Sequence, residues 1–162
     1  MAGGNRADLK TICIEGFDAG HFGYGNMYLS LLNNLPKTVV NDPLSEVKVS
    51  CMQPDMVKGW YKGQKRVVFT MWETSELPRM FSDRLSQFDQ IIVPCLHNVE
   101  LFSRYHPNVD MVPLGIDPKI WKPCLAPKND KFRFIAGGSS WLRKGLDIVV
   151  EAFEALHLVD AE

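Results

Sequence analysis

Short, almost wholly apolar runs alternate along this chain with stretches in which apolar residues recur every third or fourth position. Lys10 to Glu15, Val47 to Met52, Arg66 to Trp72, Asp89 to Cys95, Val109 to Val112 and Phe132 to Ala136 are rich in β-branched and aromatic residues and read as strands. The run Arg66-Val67-Val68-Phe69-Thr70-Met71-Trp72 shows no alternation, as expected of a strand covered on both faces. Met27, Leu31, Leu32 and Leu35 keep helical spacing until Pro36 stops them. Pro78 opens a helix carrying Met80, Phe81 and Leu85, and residues 97–105 read as another, with Asn98 a candidate cap. Residues 55–62 suit a short helix or turn. A last helix is predicted over 145–158, with Ile148, Val149, Ala152 and Phe153 on its apolar face. Strands alternating with helices imply a parallel α/β sheet. Residues 117–131, with Pro118, Pro123 and Pro127 among four lysines, read as a linker.

The chemically informative residues fall just after strands, where ligands bind in such sheets. Glycines at 16, 20, 23 and 25 precede the first helix. They suit either a tight connection or a loop whose amides approach a phosphate or sugar. Gly137-Gly138-Ser139-Ser140-Trp141-Leu142-Arg143-Lys144-Gly145 places hydroxyls and two cations ahead of the last helix. The cations suit a diphosphate clamp or a solvated basic pair. Glu73 and Glu76 follow the third strand and suit sugar hydroxyls, acid–base chemistry by Glu73, or the negative charge favoured at a helix start. His97-Asn98 suits capping or chemistry.

Composition narrows the field. With 46% hydrophobic and 23% charged residues, the 162-residue chain has the balance of a globular protein rather than a disordered one. Its net charge of -1 supplies no overall attraction to nucleic acid or anionic membrane, and no nucleic-acid partner is expected. No apolar run is long enough to cross a bilayer, and Met1 to Arg6 lacks the apolar core of a signal peptide. Cys13, Cys51, Cys95 and Cys124 form no close-spaced pair, so free buried thiols in a reducing cytoplasm are expected. No His-x-x-x-His pair supports a metal.

In order along the chain, Met71-Trp72-Glu73-Thr74-Ser75-Glu76-Leu77-Pro78, Asp89-Gln90-Ile91-Ile92-Val93-Pro94-Cys95, Val112-Pro113-Leu114-Gly115-Ile116-Asp117 and Arg143-Lys144-Gly145 through Glu151-Ala152-Phe153 resemble family 4 retaining glycosyltransferases of the GT-B fold. The resemblance spans about residues 10–157. It implies a Rossmann-like, acceptor-side domain over 1–125 and, over 126–162, a linker with the first β–α unit of a donor-binding domain. It implies sugar transfer from a nucleotide-diphosphate sugar to an acceptor, without metal or other cofactor. By the same resemblance Glu73 and Thr74 line the cleft on the acceptor side, and Glu73, as a carboxylate beyond a strand end, is the candidate catalytic residue. Gly23, Gly25, Thr74, Ser139, Arg143 and Lys144 are the candidate substrate-binding set, with Lys144 on the donor diphosphate. The family's usual arginine, five or six residues before Lys-Gly, is replaced by Gly138 or Ser139, and its pair of glutamates spaced eight apart is absent from these 162 residues. The chain alone is therefore expected to be weakly active or inactive. The alternative is a non-catalytic α/β module that binds a nucleotide, sugar or protein. A lone β–α unit cannot bury both faces, so the last helix is expected to dock on the first domain or to pair with a second copy.

Overall fold

A computed structural model describes residues 12–17, 23–34, 36, 42–123, 132–138, 142 and 144–157. Its centre is an all-parallel sheet of five strands, β1 (Ile12–Gly16), β2 (Val47–Cys51), β3 (Lys65–Phe69), β4 (Gln90–Val93) and β5 (Val109–Met111), ordered β1-β2-β3-β4-β5. Three helices connect them, α1 (Gly23–Asn34), α2 (Arg79–Leu85) and α3 (Leu96–Phe102). This is the α/β, Rossmann-like architecture that the alternating pattern predicts. A fourth helix, α4 (Leu146–Ala155), belongs to a second unit: the chain divides into Met1–Gly115 and Ile116–Glu162.

Strand register sorts side chains to two faces, because successive residues point oppositely. Ile14, Cys51 and Phe69 face α1 and pack with Met27 and Tyr28. On the opposite face Val68, Ile91 and Val93 pack with Phe81 and Leu85 of α2 and with Leu101 and Phe102 of α3. Val67, Val68 and Phe69 are all buried, which is why β3 reads as an unbroken apolar run. Since the strand order never reverses and α1 lies on the face opposite α2 and α3, the β1–α1–β2 crossover has the opposite hand to the two that follow β3. The helix that follows β1 and the segment that follows β2 therefore lie on opposite sides of the sheet.

The second face changes character at β1 and β2. There Cys13, Glu15, Lys48 and Ser50 replace the apolar set. Buried Lys48 pairs with Glu15 at 3.0 Å, and Ser50 donates to the same carboxylate oxygen. Lys48 also donates to the carbonyls of Gly59 and Lys58, at 2.7 and 3.1 Å. A charged group buried this way needs its donors filled, and the loop after β2 supplies the acceptors.

Several elements differ from the sequence reading. Asp89–Cys95 ends as a strand at Val93, because Pro94 has no N–H for a ladder. Cys95 is consequently exposed, while Cys13 and Cys51 are buried as expected. Burial pushes the Cys51 thiol up to about 12 and raises Cys13 as well. Cys124 lies outside the described residues. The expected strand Phe132–Ala136 is absent: Phe132 is an isolated bridge and 133–138 are unpaired. Among the described residues of its unit no other strand is present to pair with it. Helix α4 has no buried residue. Within its unit, Phe134 packs edge-on against Phe132 and Phe153, with ring centroids 5.0 and 5.9 Å apart.

Two outcomes follow from this packing. Phe102 is fully buried and Leu96, on the same helix, is 67% exposed. Phe102→Ala is expected to cost about 3–5 kcal/mol in urea unfolding, and Leu96→Ala no more than about 0.5 kcal/mol. The Arg66 N–H and guanidinium both donate to Asp89, holding its carboxyl below the usual carboxylate range. A depressed folded-state value stabilises above the unfolded value and loses that contribution as pH falls through the folded one. Asp89→Asn is therefore expected to be less stable than the parent at pH 7 and to converge with it below about pH 4. A pH-independent gap in Tm between the two would contradict this linkage.

Candidate functional site

The carboxyl ends of β1, β2 and β3 meet the amino end of α1. This helix starts at Gly23, four residues before the apolar spacing that marks it in the sequence, so Gly23 and Gly25 lie in its first turn. Gly25 is buried, whereas open space surrounds the position a Cβ would take on Gly23. Between them Tyr24 crosses to the end of β3. Its hydroxyl lies 3.0 Å from Thr70 Oγ1, donates to the Met71 carbonyl at 3.0 Å and accepts from the Met71 N–H at 3.2 Å. Burial raises the Tyr24 pKa; the hydrogen bonds with Thr70 and Met71 act against this, while the negative charges of Glu73 and Asp55 add to it. Through its bonds to Met71, Tyr24 ties the amino end of α1 to the start of the segment that carries Glu73. Asp55 has one carboxylate oxygen, Oδ1, buried without a hydrogen-bond partner among the described residues.

The next residue of the chain is held from the other side. Asn98 of α3, 4% exposed, accepts from the Trp72 N–H at 2.7 Å and donates to the Trp72 carbonyl at 3.0 Å. Asn98 therefore does not cap its helix; Cys95 occupies that position, and the Asn98 amide contacts its sulfur at 3.4 Å. Four further bonds fix the loop beyond. The Trp72 indole N–H donates to Thr74 Oγ1 and to the Glu76 carbonyl, at 2.8 and 2.9 Å. His97 Nε2 lies 3.3 Å from the Thr74 carbonyl, and Arg104 donates to that of Ser75. Glu73 and Thr74 are exposed on a loop with a defined course.

The first unit thus brings together four predicted residues, Gly23, Gly25, Glu73 and Thr74, at one edge of the sheet. Lys144 belongs to the second unit, exposed, with its stem against Gly138: a Cβ built there would meet Lys144 Cγ at 2.8 Å. Ser139 and Arg143 lie outside the described residues. Sequence reasoning missed Tyr24, which carried no signal beyond its place inside the glycine loop, and it assigned Asn98 to a local role. Among the described residues no cluster of histidine, cysteine and acidic side chains could hold a metal ion, and no helix is long and apolar enough to cross a membrane. No family model, no curated protein and no solved structure matches this chain.

The two clamps on β3 generate a measurable expectation. Asn98→Ala leaves both polar groups of Trp72 without their partner and is expected to cost about 1–3 kcal/mol. Hydrogen exchange at the Trp72 amide should accelerate in that variant, and at the Met71 amide in Tyr24→Phe. Unchanged exchange at both would show that the clamps do not hold the loop.

Proposed function

We propose that this chain has the function of a retaining glycosyltransferase, with the acceptor side in residues 1–125 and Lys144 on the donor side, taking a sugar from a nucleotide-diphosphate donor and weakly active or inactive by itself. The observation that carries the reading is the loop bearing Glu73 and Thr74, fixed by Asn98, His97 and Arg104 and tied to the amino end of α1 by the Tyr24–Met71 bonds. An exposed carboxylate on a loop of fixed course suits the hydroxyls of a sugar acceptor, while the Thr74 hydroxyl, which accepts from Trp72 and donates to the Glu76 carbonyl, holds that course. The amino end of α1 favours negative charge, and Gly23 lets a ligand approach its backbone. Lys144 takes the role the family resemblance implies, stabilising the departing nucleoside diphosphate. The transfer breaks the bond between the anomeric carbon and the diphosphate oxygen. A bond forms from that carbon to the acceptor oxygen, whose proton leaves with the departing group, and Glu73 orients the acceptor hydroxyl.

One feature favours a second reading, that of a non-catalytic binding module. Helix α4 has no buried residue, and Ile135, Leu142 and Ile148 are 91, 79 and 66% exposed, so the unit carrying Lys144 has little core.

Hydrolysis or transfer from UDP- and GDP-sugars separates the two. For the transferase, Lys144→Ala is expected to lower kcat/KM about 10²-fold, and Glu73→Gln is expected to act through kcat. A UDP-induced rise in Tm that Lys144→Ala abolishes would accompany it. No turnover, with no Lys144-dependent shift, would leave the binding module.

A further inference from the structure

The opposite edge of the sheet carries a different chemistry. From the β2–β3 connection into the start of β3 the chain reads Lys58-Gly59-Trp60-Tyr61-Lys62-Gly63-Gln64-Lys65-Arg66, four cations and two aromatic rings without one acidic residue, in a protein of net charge -1. Gly59 and Gly63, at φ 63° and 87°, make left-handed turns on either side of Trp60-Tyr61-Lys62. Two buried polar side chains pin the loop from beneath. Lys48 donates to the Lys58 and Gly59 carbonyls. Gln64, 8% exposed, donates to the Ser45 and Pro43 carbonyls at 2.7 and 3.0 Å and accepts from the Tyr61 N–H. Trp60 is seated edge-on against Phe88, ring centroids 5.5 Å apart, with the Arg66 guanidinium 5.5 Å from its own ring centre.

This fixed loop walls a groove of about 680 Å³, lined by Trp60, Tyr61, Lys62, Lys65, Arg66 and Asp89 among others. That volume falls in the range of small-ligand sites. Three kinds of group face it. Tyr61 is 54% exposed and offers a ring for stacking. Lys62 and Lys65 are exposed, and neither has a carboxylate within ion-pair distance among the described residues. Asp89, 41% exposed at its side chain, receives both Arg66 bonds on Oδ2, and Oδ1 makes none of the hydrogen bonds of the described residues. A planar ring, a phosphate and neighbouring hydroxyls are the complement of such a set.

We propose that the Trp60–Arg66 groove binds a nucleoside monophosphate, with the base on Tyr61, the phosphate between Lys62 and Lys65, and the ribose hydroxyls on Asp89. Arg66 orients Asp89. The proposal does not rest on sugar transfer: Lys65 and Asp89 lie at the amino edge of the sheet, Glu73 beyond the carboxyl end of β3.

Titration calorimetry with AMP, at low salt and on the full chain carrying Lys144→Ala, tests this site apart from the proposed transferase. AMP is expected to bind, with adenosine and inorganic phosphate each weaker by about tenfold or more. Lys62→Ala with Lys65→Ala is expected to weaken AMP about tenfold or more with circular dichroism unchanged, since both side chains are exposed. Tyr61→Phe should keep the affinity that Tyr61→Ala loses. Absent AMP binding, AMP binding indifferent to both lysines, or inorganic phosphate binding as tightly as AMP would overturn the proposal. So would adsorption to phosphatidylserine-containing vesicles that depends on Tyr61 in a chain that ignores AMP.

Discussion

The end of β3 is the point on which the rest of the first unit turns. Past Phe69 its ladder is no longer completed by neighbouring strands alone, yet two more residues keep both backbone groups satisfied. Tyr24 from one face of the sheet serves Met71, and Asn98 from the other serves Trp72. Each side chain acts as both donor and acceptor, as a strand neighbour would. An unfilled backbone group at this depth costs about 1–3 kcal/mol, so the two clamps set where the chain can bend away. They also tie α1 and α3, which pack on opposite faces, to one short segment. The course of the Glu73 loop and the position of the amino end of α1 are therefore not independent.

A second constraint acts on the same sheet through charge. The face that is apolar beneath α2 and α3 is polar at β1 and β2, where no described helix covers it. Lys48 and Glu15 could not remain there as lone ions; removing a carboxylate or ammonium from water costs several kcal/mol unless bonds replace the hydration. The replacement comes from the loop after β2, whose carbonyls at Lys58 and Gly59 complete the ammonium shell. Gln64 does the same work one turn later on Pro43 and Ser45. Buried polar contacts thus shape the Trp60–Tyr61 loop together with the packing of Val57 and Trp60 on the apolar core. The polar contacts are directional, which apolar ones are not.

These two devices explain what could be read from residues alone. All five strands of the first unit are legible, β3 and β4 as near-continuous apolar runs and β1, β2 and β5 as short runs with isolated polar residues, and the helix after Pro78 follows from proline's local geometry. Glu73 and Thr74 are legible as residues beyond a strand end. The start of α1 is not, since Gly23 and Gly25 have poor helix propensity and the helix is secured there by Tyr24 reaching 47 residues ahead. Asn98 misleads for a related reason: its type suits a cap, and a partner 26 residues away outbids the local one. The pairing of Lys48 with Glu15 is a matter of strand register, which periodicity does not encode. Phe132–Ala136 has the composition of a strand, but composition does not provide the neighbour a ladder requires.

The second unit shows how far local chemistry can go without a sheet. Its aromatic chain Phe132–Phe134–Phe153 joins the extended segment to α4, and Gly145, at φ 64°, turns the chain into the helix in a conformation that side-chain-bearing residues disfavour. Gly138 is required for a different reason: the Lys144 stem lies where its Cβ would be, closer than carbon atoms tolerate. A residue with a side chain at 138 would displace the lysine rather than the backbone, because the lysine is the flexible partner. The glycine turn and the cation are therefore one feature. The course of the Lys144 stem depends on the absence of a side chain six residues earlier.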